Sequence, residues 1–394
     1  MFICVYLWFK VMWSSGKSAV LAIAGIVIGA TILWEAFETV VLPRRATRRF
    51  RFTRLFYRST WVPWRAIAAR VSRKKSRETF LSIYGPLSLL FLFICWGTGI
   101  ILAFSFLDYS VSRESSSPAG FITSLYLSGS TFFTLGLGDV TPHGWTQRWL
   151  TVIECGLGFG FFALVFSYLP VIYQAFSRRE VSIVLLDARA GSPPTAAELL
   201  RRHAGDSGWD ELQRLLRDWE RVAAETLESH VSYPVVAYFR SQHDNESWLA
   251  ALTVMLDASA FLLANVENEC ARQARLTFAM CRHTVVDLAQ IFSAAPHSAS
   301  YDRLPAAELQ RLRNALIEAG YHLRDPQLAN QKLTKLREMY EPYLQGLGRF
   351  LLMGIPPWIL AKEIIDNWRT SAWGRISGLA STAREEIALD DHAD

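Results

Sequence analysis

A glycine-spaced segment between two long apolar stretches constrains this chain more than any other feature. The segment reads Thr134-Leu135-Gly136-Leu137-Gly138-Asp139 and follows an apolar run, Phe121 to Phe133, that is too short to cross a bilayer. Glycines at alternate positions permit the positive-φ residues of a twisted extended path. The pattern predicts a half-helix that enters the membrane and returns, followed by a segment whose backbone carbonyls line an axis.

Backbone carbonyls arranged around an axis can replace the hydration shell of a cation. Thr134 adds a hydroxyl oxygen at one mouth of the path, and Asp139 ends the segment at the other mouth. The alternative is a glycine-rich turn that only joins two membrane helices. Residue order, spacing and the apolar flanks favour an ion site, whose candidate residues are Thr134, Leu135, Gly136, Leu137, Gly138 and Asp139.

These residues resemble the signature of the potassium-channel family, usually written T-V-G-Y-G-D. The resemblance covers roughly residues 84–176 and is sharpest from Ser130 to Pro142. It implies a homotetramer, no enzymatic activity and no cofactor other than bound potassium ions. The resemblance implies that carbonyls of four residues bind the potassium: Thr134, Leu135, Gly136 and Leu137.

One position departs from the family pattern, because Leu137 stands where the family usually has tyrosine. A tyrosine hydroxyl there bonds to aromatic residues of the pore helix and braces the filter. Tyr126 and Leu127 also stand where tryptophans are common, so we expect an apolar brace. Leucine also occurs at this position in family members that conduct potassium. A potassium-selective filter and a weakly selective one therefore both stay open.

Three stretches are long enough to span a bilayer, which takes about 20 apolar residues. They are Ser18 to Leu42, Tyr84 to Leu107, and Trp149 to Phe176. The charge is uneven: residues 1–177 hold 17 Lys+Arg and 7 Asp+Glu, whereas residues 178–394 hold 24 and 29. We therefore expect an all-α membrane protein with a separate, mildly acidic domain.

Basic residues in short loops predict the orientation. Residues 44–77 contain 13 Lys+Arg and no acid, and Arg178 and Arg179 follow the third span. The positive-inside rule places both regions in the cytoplasm. We therefore expect a multi-pass protein of the cell (inner) membrane whose N-terminus lies outside the cell and whose C-terminus lies in the cytoplasm. The filter then enters the membrane from the outside. The pore interpretation requires the same orientation, and it does so independently of the charges.

These features divide the chain into four predicted parts. They are an N-terminal segment with the first span (1–43), a basic cytoplasmic linker (44–83), a pore domain (84–177) and a cytoplasmic helical domain (178–394). Aromatic residues mixed with the cations of 44–77 suit a helix that lies on an anionic leaflet. Nucleic acid is an improbable partner for a linker held between two membrane spans.

The third span carries two candidate gating residues. Gly158 lies 20 residues after Gly138, the spacing of a hinge glycine in many family members, and close helix packing through a small residue is the alternative. Pro170 removes one helical hydrogen bond, so we expect a kink near the inner end of the span. Glu154 lies near filter depth, where Ser130 or Thr131 are its expected partners.

Two more acids, Glu35 and Glu38, lie near the end of the first span on one helix face. These two acids are expected to pair with arginines of the linker. The alternative is that their side chains extend to the inner membrane interface.

The C-terminal half begins with a β-like run, Val181 to Leu186, and then reads as a helical bundle. Its predicted helices are 195–204, 208–229, 245–265, 267–293, 305–320 and 326–345. Trp358, Trp368 and Trp373 make the following tail apolar enough to dock on the bundle or touch the membrane. No dinucleotide fingerprint, phosphate-binding loop, arginine array or metal-type histidine spacing occurs, so the regulatory ligand is unknown.

The sequence thus favours a tetrameric potassium-selective channel gated at its inner helices by a cytoplasmic helical domain. Over its whole length it resembles bacterial proteins of the potassium-channel family. A weakly selective monovalent cation channel is the second interpretation. A non-conducting membrane sensor or scaffold with a pore-like fold is the third.

Overall fold

The computed structural model is helical throughout the part of the chain that it describes. Side chains are described from residue 18 onward, and the described residues are 2–42, 52–112, 120–205, 208–242, 246–267, 270–298 and 301–360. No β-strand occurs among these residues; one isolated antiparallel bridge joins Val266 and Leu323. The all-α prediction is therefore confirmed.

The chain divides into two compact units. The first contains Met1–Pro63 and Pro86–Tyr173, and the second contains Trp64–Gly85 and Gln174–Asp394. Three helices therefore run from one unit into the other: those at Phe52–Ala68, Lys74–Ser112 and Gly144–Ala190. This division follows packing, and the functional boundaries at residues 43, 83 and 177 stay a prediction.

Five helices build the first unit or enter it. They are α1 (Phe2–Ala36, continued by a π-helical turn Phe37–Val41), α2 (Phe52–Ala68), α3 (Lys74–Ser112), α4 (Phe121–Phe132) and α5 (Gly144–Ala190). Three segments of the first unit's helices are long and apolar enough to cross a membrane: Ser18–Val41, Lys74–Ser112 and Gly144–Ala190. Each contains most or all of one predicted span, so the three spans are confirmed by length and composition.

Helix α1 packs closely against α3 through small residues. A Cβ atom on Gly25 would lie 2.6 Å from the carbonyl oxygen of Ala103, and one on Gly99 would lie 2.2 Å from Ile32 Cδ1. Such approach is common between helices in membranes, where small residues let backbones come close. The N-terminal helix α1 is therefore packed onto α3.

Glu35 caps the start of α2. Its carboxylate accepts hydrogen bonds from Phe52 N at 2.9 Å, Thr53 N at 3.3 Å and Thr53 Oγ1 at 3.0 Å. The first amides of a helix have no partner within the helix and attract negative charge. Glu35 was predicted to pair with arginines of the linker, and in the structure it binds backbone and hydroxyl groups of the linker instead. Residues 44–51 lie outside the described part of the chain.

The second unit is an α-helical bundle, as predicted. Its helices are α6 (Ala196–Arg202), α7 (Gly208–Ser232), α8 (Trp248–Asn265), α9 (Ala271–Ile291), α10 (Ala306–Glu318), α11 (Pro326–Glu338) and α12 (Glu341–Leu351). Helix α8 is apolar enough to cross a membrane, but its apolar window is wholly buried inside the bundle. A helix that is hydrophobic all round and enclosed by neighbours forms a core. The predicted helix 326–345 is two helices, which divide just before Pro342.

The predicted β-like run at Val181–Leu186 is wrong, because α5 continues through it to Ala190. Arg179, Ile183, Leu186 and Ala190 are all buried. Their spacing of four, three and four residues is one face of an α-helix, not an alternating strand. A short run of β-branched and leucine residues does not distinguish these two cases by itself.

The tail after α12 docks on the bundle. Trp358 is fully buried, its carbonyl accepts from Ala197 N at 3.0 Å, and Arg337 lies 5.8 Å from its ring centroid. This is the first of the two positions predicted for the tail. Trp368 and Trp373 lie outside the described residues.

Candidate ion-conduction site

Helix α4 leads directly into the glycine-spaced segment. Its 12 residues make it about 18 Å long, too short for a hydrocarbon core of about 30 Å. Its last turn closes with bonds from Phe133 N to Gly129 O at 3.1 Å, Thr134 N to Thr131 O at 3.0 Å and Leu135 N to Ser130 O at 2.8 Å. The carbonyl end of α4, which carries partial negative charge, therefore adjoins the start of the segment.

Every second residue of the segment has a left-handed backbone. The φ values are 56° at Thr134, 58° at Gly136 and 80° at Gly138. In a plain strand successive carbonyls point to opposite sides, and alternation of backbone handedness turns them towards one side. The sequence predicted positive φ at the two glycines and missed Thr134. A left-handed threonine costs about 1–2 kcal/mol, and such strain concentrates at functional sites.

The two leucines of the segment are exposed in the single chain. Leu135 is 60% exposed and Leu137 is 65% exposed. A Cβ added at Gly136 or Gly138 would meet no atom within 4 Å. The Tyr126 hydroxyl lies beside the Asp139 carboxylate. A polar group of α4 thus reaches the Asp139 end of the segment, where an apolar brace was expected.

A polar contact behind the segment joins α3, α4 and α5. Ser128 Oγ lies within hydrogen-bonding distance of Glu154 Oε1 and 2.8 Å from the carbonyl oxygen of Ile101. The sequence predicted Ser130 or Thr131 as partners of Glu154, which is wrong, because the buried face of α4 carries Ser124 and Ser128 instead. An acid at membrane depth normally faces such a partner.

A second polar link lies beside the loop that follows the glycine-spaced segment. Gln147 Nε2 donates to Asp108 Oδ1 at 3.0 Å, and Gln147 Oε1 accepts from His143 N at 2.8 Å. The amide therefore ties α3 to the loop that leaves the glycine-spaced segment. Sequence reasoning missed Asp108 and Gln147, and only their polarity within apolar surroundings could have indicated them.

Gly158 packs against the end of α4. A Cβ on Gly158 would lie 2.2 Å from the carbonyl oxygen of Phe132. This contact supports the packing alternative for Gly158, and its hinge role stays a prediction. Helix α5 runs unbroken through Pro170, whose gating role is likewise a prediction.

Replacing Ser128 with alanine is expected to lower the free energy of unfolding by about 1–3 kcal/mol, because the buried Glu154 carboxyl loses a partner. Chemical unfolding of the purified protein measures this loss. Ser167→Ala is the matched control, since that serine is exposed and donates to Leu164 O in its own helix. Equal stability of the two variants would show that the Ser128 contact contributes nothing.

Replacing Leu137 with tyrosine restores the missing ring hydroxyl. One added hydrogen bond is worth about 0.5–1.5 kcal/mol, so we expect the potassium-over-sodium permeability ratio or the open lifetime to change by about twofold or more. Leu137→Phe is the control, because it adds the ring without the hydroxyl. Identical reversal potentials and lifetimes in all three forms would show that a brace at this position is irrelevant.

Comparison with known proteins identifies the same region. Residues 88–174 match a family model described as "Ion channel" (Ion_trans_2), and this range includes all of α4 and the glycine-spaced segment. An "Uncharacterized membrane protein YdjJ" of Bacillus subtilis (strain 168) is 25% identical over 183 residues, which are 45% of this chain and 53% of that protein. The chain thus spans about half the length of that relative. No solved structure matches the chain.

Proposed function

We propose that this chain, whose residues 88–174 form a pore module of the potassium-channel superfamily, is one subunit of a tetrameric potassium-selective channel. The observation that carries the proposal is the alternate left-handed backbone at Thr134, Gly136 and Gly138, directly after a half-helix. We assign the bound potassium to carbonyls of Thr134, Leu135, Gly136 and Leu137. Asp139 marks the outer mouth.

Exposed apolar surface supports assembly around an axis. Besides the two leucines of the segment, α5 exposes Val152, Ile153, Phe159 and Phe166 by more than half. One chain supplies one carbonyl strand, whereas a cation needs carbonyls from several sides. Four copies, with lipid around them, would cover these faces.

The linker supports the orientation and a lipid contact. Helix α2 exposes Arg54 and Arg58 together with Leu55 and Val62. Such a helix suits the anionic inner leaflet, with the N-terminus outside and the second unit in the cytoplasm of a cell. In this arrangement the second unit gates the inner helices in response to an unknown ligand.

Two other functions fit particular observations. Leu137 in place of tyrosine favours a weakly selective monovalent cation channel. The 25% identity to a membrane protein without a described activity leaves room for a non-conducting sensor or scaffold.

Ion flux into liposomes separates the three functions. The full-length protein is reconstituted and flux is measured with potassium, with sodium and with an impermeant cation. Potassium flux well above sodium flux supports the proposal. Equal fluxes favour the weakly selective channel, and no flux with either ion favours the scaffold.

A further inference from the structure

A short buried segment, Pro234–Arg240, follows α7 in the second unit; we name it the strap. Its first five residues form a 3-10 turn, and Val235 to Phe239 are at most 5% exposed. Buried backbone outside regular helices must find hydrogen-bond partners elsewhere. Strap carbonyls accept hydrogen bonds from α5 and from the bundle, and the N-terminal part of α3 packs against the strap.

Helix α5 holds the strap through Arg179. Its Nη1 donates to Val236 O at 3.0 Å and its Nη2 donates to Phe239 O at 2.9 Å. Glu180 Oε1 accepts from Arg179 Nε at 3.2 Å and Nη2 at 3.1 Å, and His230 Nε2 lies 3.4 Å from Nη1. Burial and the Arg179 charge lower the pKa of His230 to about 3. Its neutral ring can therefore accept, and every donor of the guanidinium has a partner.

The N-terminal part of α3 holds the same strap from another side. A Cβ on Gly85 would lie 2.7 Å from Phe239 Cδ2, so only glycine permits this approach without a shift. The Glu78 carboxylate lies 3.5 Å from Arg240 Nη1, at the end of the strap. The strap thus contacts two helices that are far apart in sequence.

The remaining contacts fix the strap to the bundle. Trp248 Nε1 donates to Ala237 O at 3.3 Å, and the rings of Tyr238 and Phe292 lie 5.9 Å apart. Arg240 also donates to the carbonyl of Leu352 at 3.3 Å, in the tail. A displacement of the bundle core therefore moves the strap with it.

Each helix carries a proline close to the point where it leaves the second unit. Pro86 directly follows Gly85 in α3, and Pro170 lies four residues before Gln174 in α5. Proline removes a helical hydrogen bond and makes a helix easier to bend at that point. The strap therefore holds α3 and α5 close to the prolines at which each helix bends most easily.

We propose that the strap couples α3 and α5, so that the helical bundle moves the two helices as one element when the pore opens. Arg179 is the positioning residue, because its guanidinium donates to two strap carbonyls. This inference rests on the proposed channel function and adds the route by which the bundle acts on it. Such coupling requires an element with two arrangements, whose equilibrium is shifted both by the bundle and by the pore.

The test compares Arg179→Lys with Arg178→Lys in full-length protein by single-channel recording. Lysine keeps the charge but cannot bond to two carbonyls in the fixed geometry of a guanidinium. We expect Arg179→Lys to change the open probability by about fivefold or more, with the potassium-over-sodium permeability ratio unchanged. Arg178 is the control, since its side chain is exposed one residue away, and Arg178→Lys should change neither quantity.

Glu78→Gln provides a second variant at the other end of the strap, because it removes the carboxylate charge that faces Arg240. If Arg179→Lys does not assemble, Glu78→Gln alone carries the test and should itself change the open probability, with the permeability ratio unchanged. If both variants assemble, their combination should shift it no further than the larger single change, because both act through one strap. Multiplied effects would contradict a single coupling element.

The outcomes separate the strap from the channel itself. If the wild type conducts and neither Arg179→Lys nor Glu78→Gln changes the open probability, the strap proposal is overturned and the channel function stands. A changed permeability ratio in either variant also overturns it, because the strap would then act on the filter. Absence of wild-type current contradicts the proposed function, and the strap proposal falls with it.

Discussion

Replacing Gly136 with alanine is expected to abolish potassium flux while leaving the assembled protein intact. Gly136 has a φ of 58°, which costs a residue with a Cβ about 1–2 kcal/mol. In the proposed tetramer this cost recurs in each of the four chains, so we expect the segment to relax to negative φ and to turn its carbonyls away from the ion path. Potassium flux into liposomes, normalised to assembled protein, measures the loss. The backbone cost summed over four chains is about 4 kcal/mol or more, so we expect the flux to fall by more than about a hundredfold.

Gly129→Ala is the matched control for this prediction. Gly129 lies in α4 and a Cβ there would meet nothing within 4 Å. Alanine favours helix over glycine by about 1 kcal/mol, so this variant should conduct like the wild type. Flux of Gly136→Ala equal to that of Gly129→Ala would exclude the segment as the conduction path.

Replacing Gly158 with alanine is expected to disrupt the site by a different route. The new Cβ would lie 2.2 Å from the carbonyl oxygen of Phe132 and 3.0 Å from its carbonyl carbon. Backbone atoms cannot rotate away, so α4 must shift relative to α5. Overpacking of this kind costs about 1–3 kcal/mol per chain, and we expect at least a tenfold loss of flux. Thermal unfolding and flux of the same preparation measure both effects.

Gly156→Ala and Gly160→Ala are the controls for Gly158, since a Cβ at either position meets nothing within 4 Å. Both should fold and conduct like the wild type. The prediction also separates the two roles considered for Gly158. A hinge role predicts unchanged stability and an altered open probability, whereas close packing predicts a loss of stability; a fully stable Gly158→Ala protein would exclude the packing role.

The parts of the site that the sequence predicted are those fixed by local constraints. The glycines at 136 and 138 indicate left-handed backbone because few other residues adopt it. The length of Phe121–Phe133 indicates a half-helix because the bilayer sets the length of a span. The structure has positive φ at both glycines and also at Thr134, and it has a helix of 12 residues at Phe121–Phe132; the entry of this helix into a membrane stays a prediction.

The parts that the sequence did not predict depend on contacts between distant segments. The partner of Glu154 is set by the rotation of α4 about its axis, which places Ser128 and not Ser130 or Thr131 beside the Glu154 carboxylate. The run at Val181–Leu186 is helical because α5 continues through it and buries one face in the bundle. Neither the axial rotation nor the bundle can be read from residue order.

The strap is a further case of this kind. Arg179 and Val236 are 57 residues apart, and Glu78 and Arg240 are more than twice as far apart in sequence. The stretch before Trp248 reads as a polar and aromatic loop, and nothing local shows that two membrane-directed helices meet there. A buried arginine with two backbone acceptors becomes visible only in the fold.

Co-expression of wild-type and Gly136→Ala chains tests the central claim, that four copies share one carbonyl-lined path. One altered chain interrupts a shared path, so only complexes of four wild-type chains conduct. With equal expression and random assembly, the account predicts a residual potassium flux of about one sixteenth of the wild-type flux per complex. A residual flux of about one half would contradict it, because each chain would then conduct by itself.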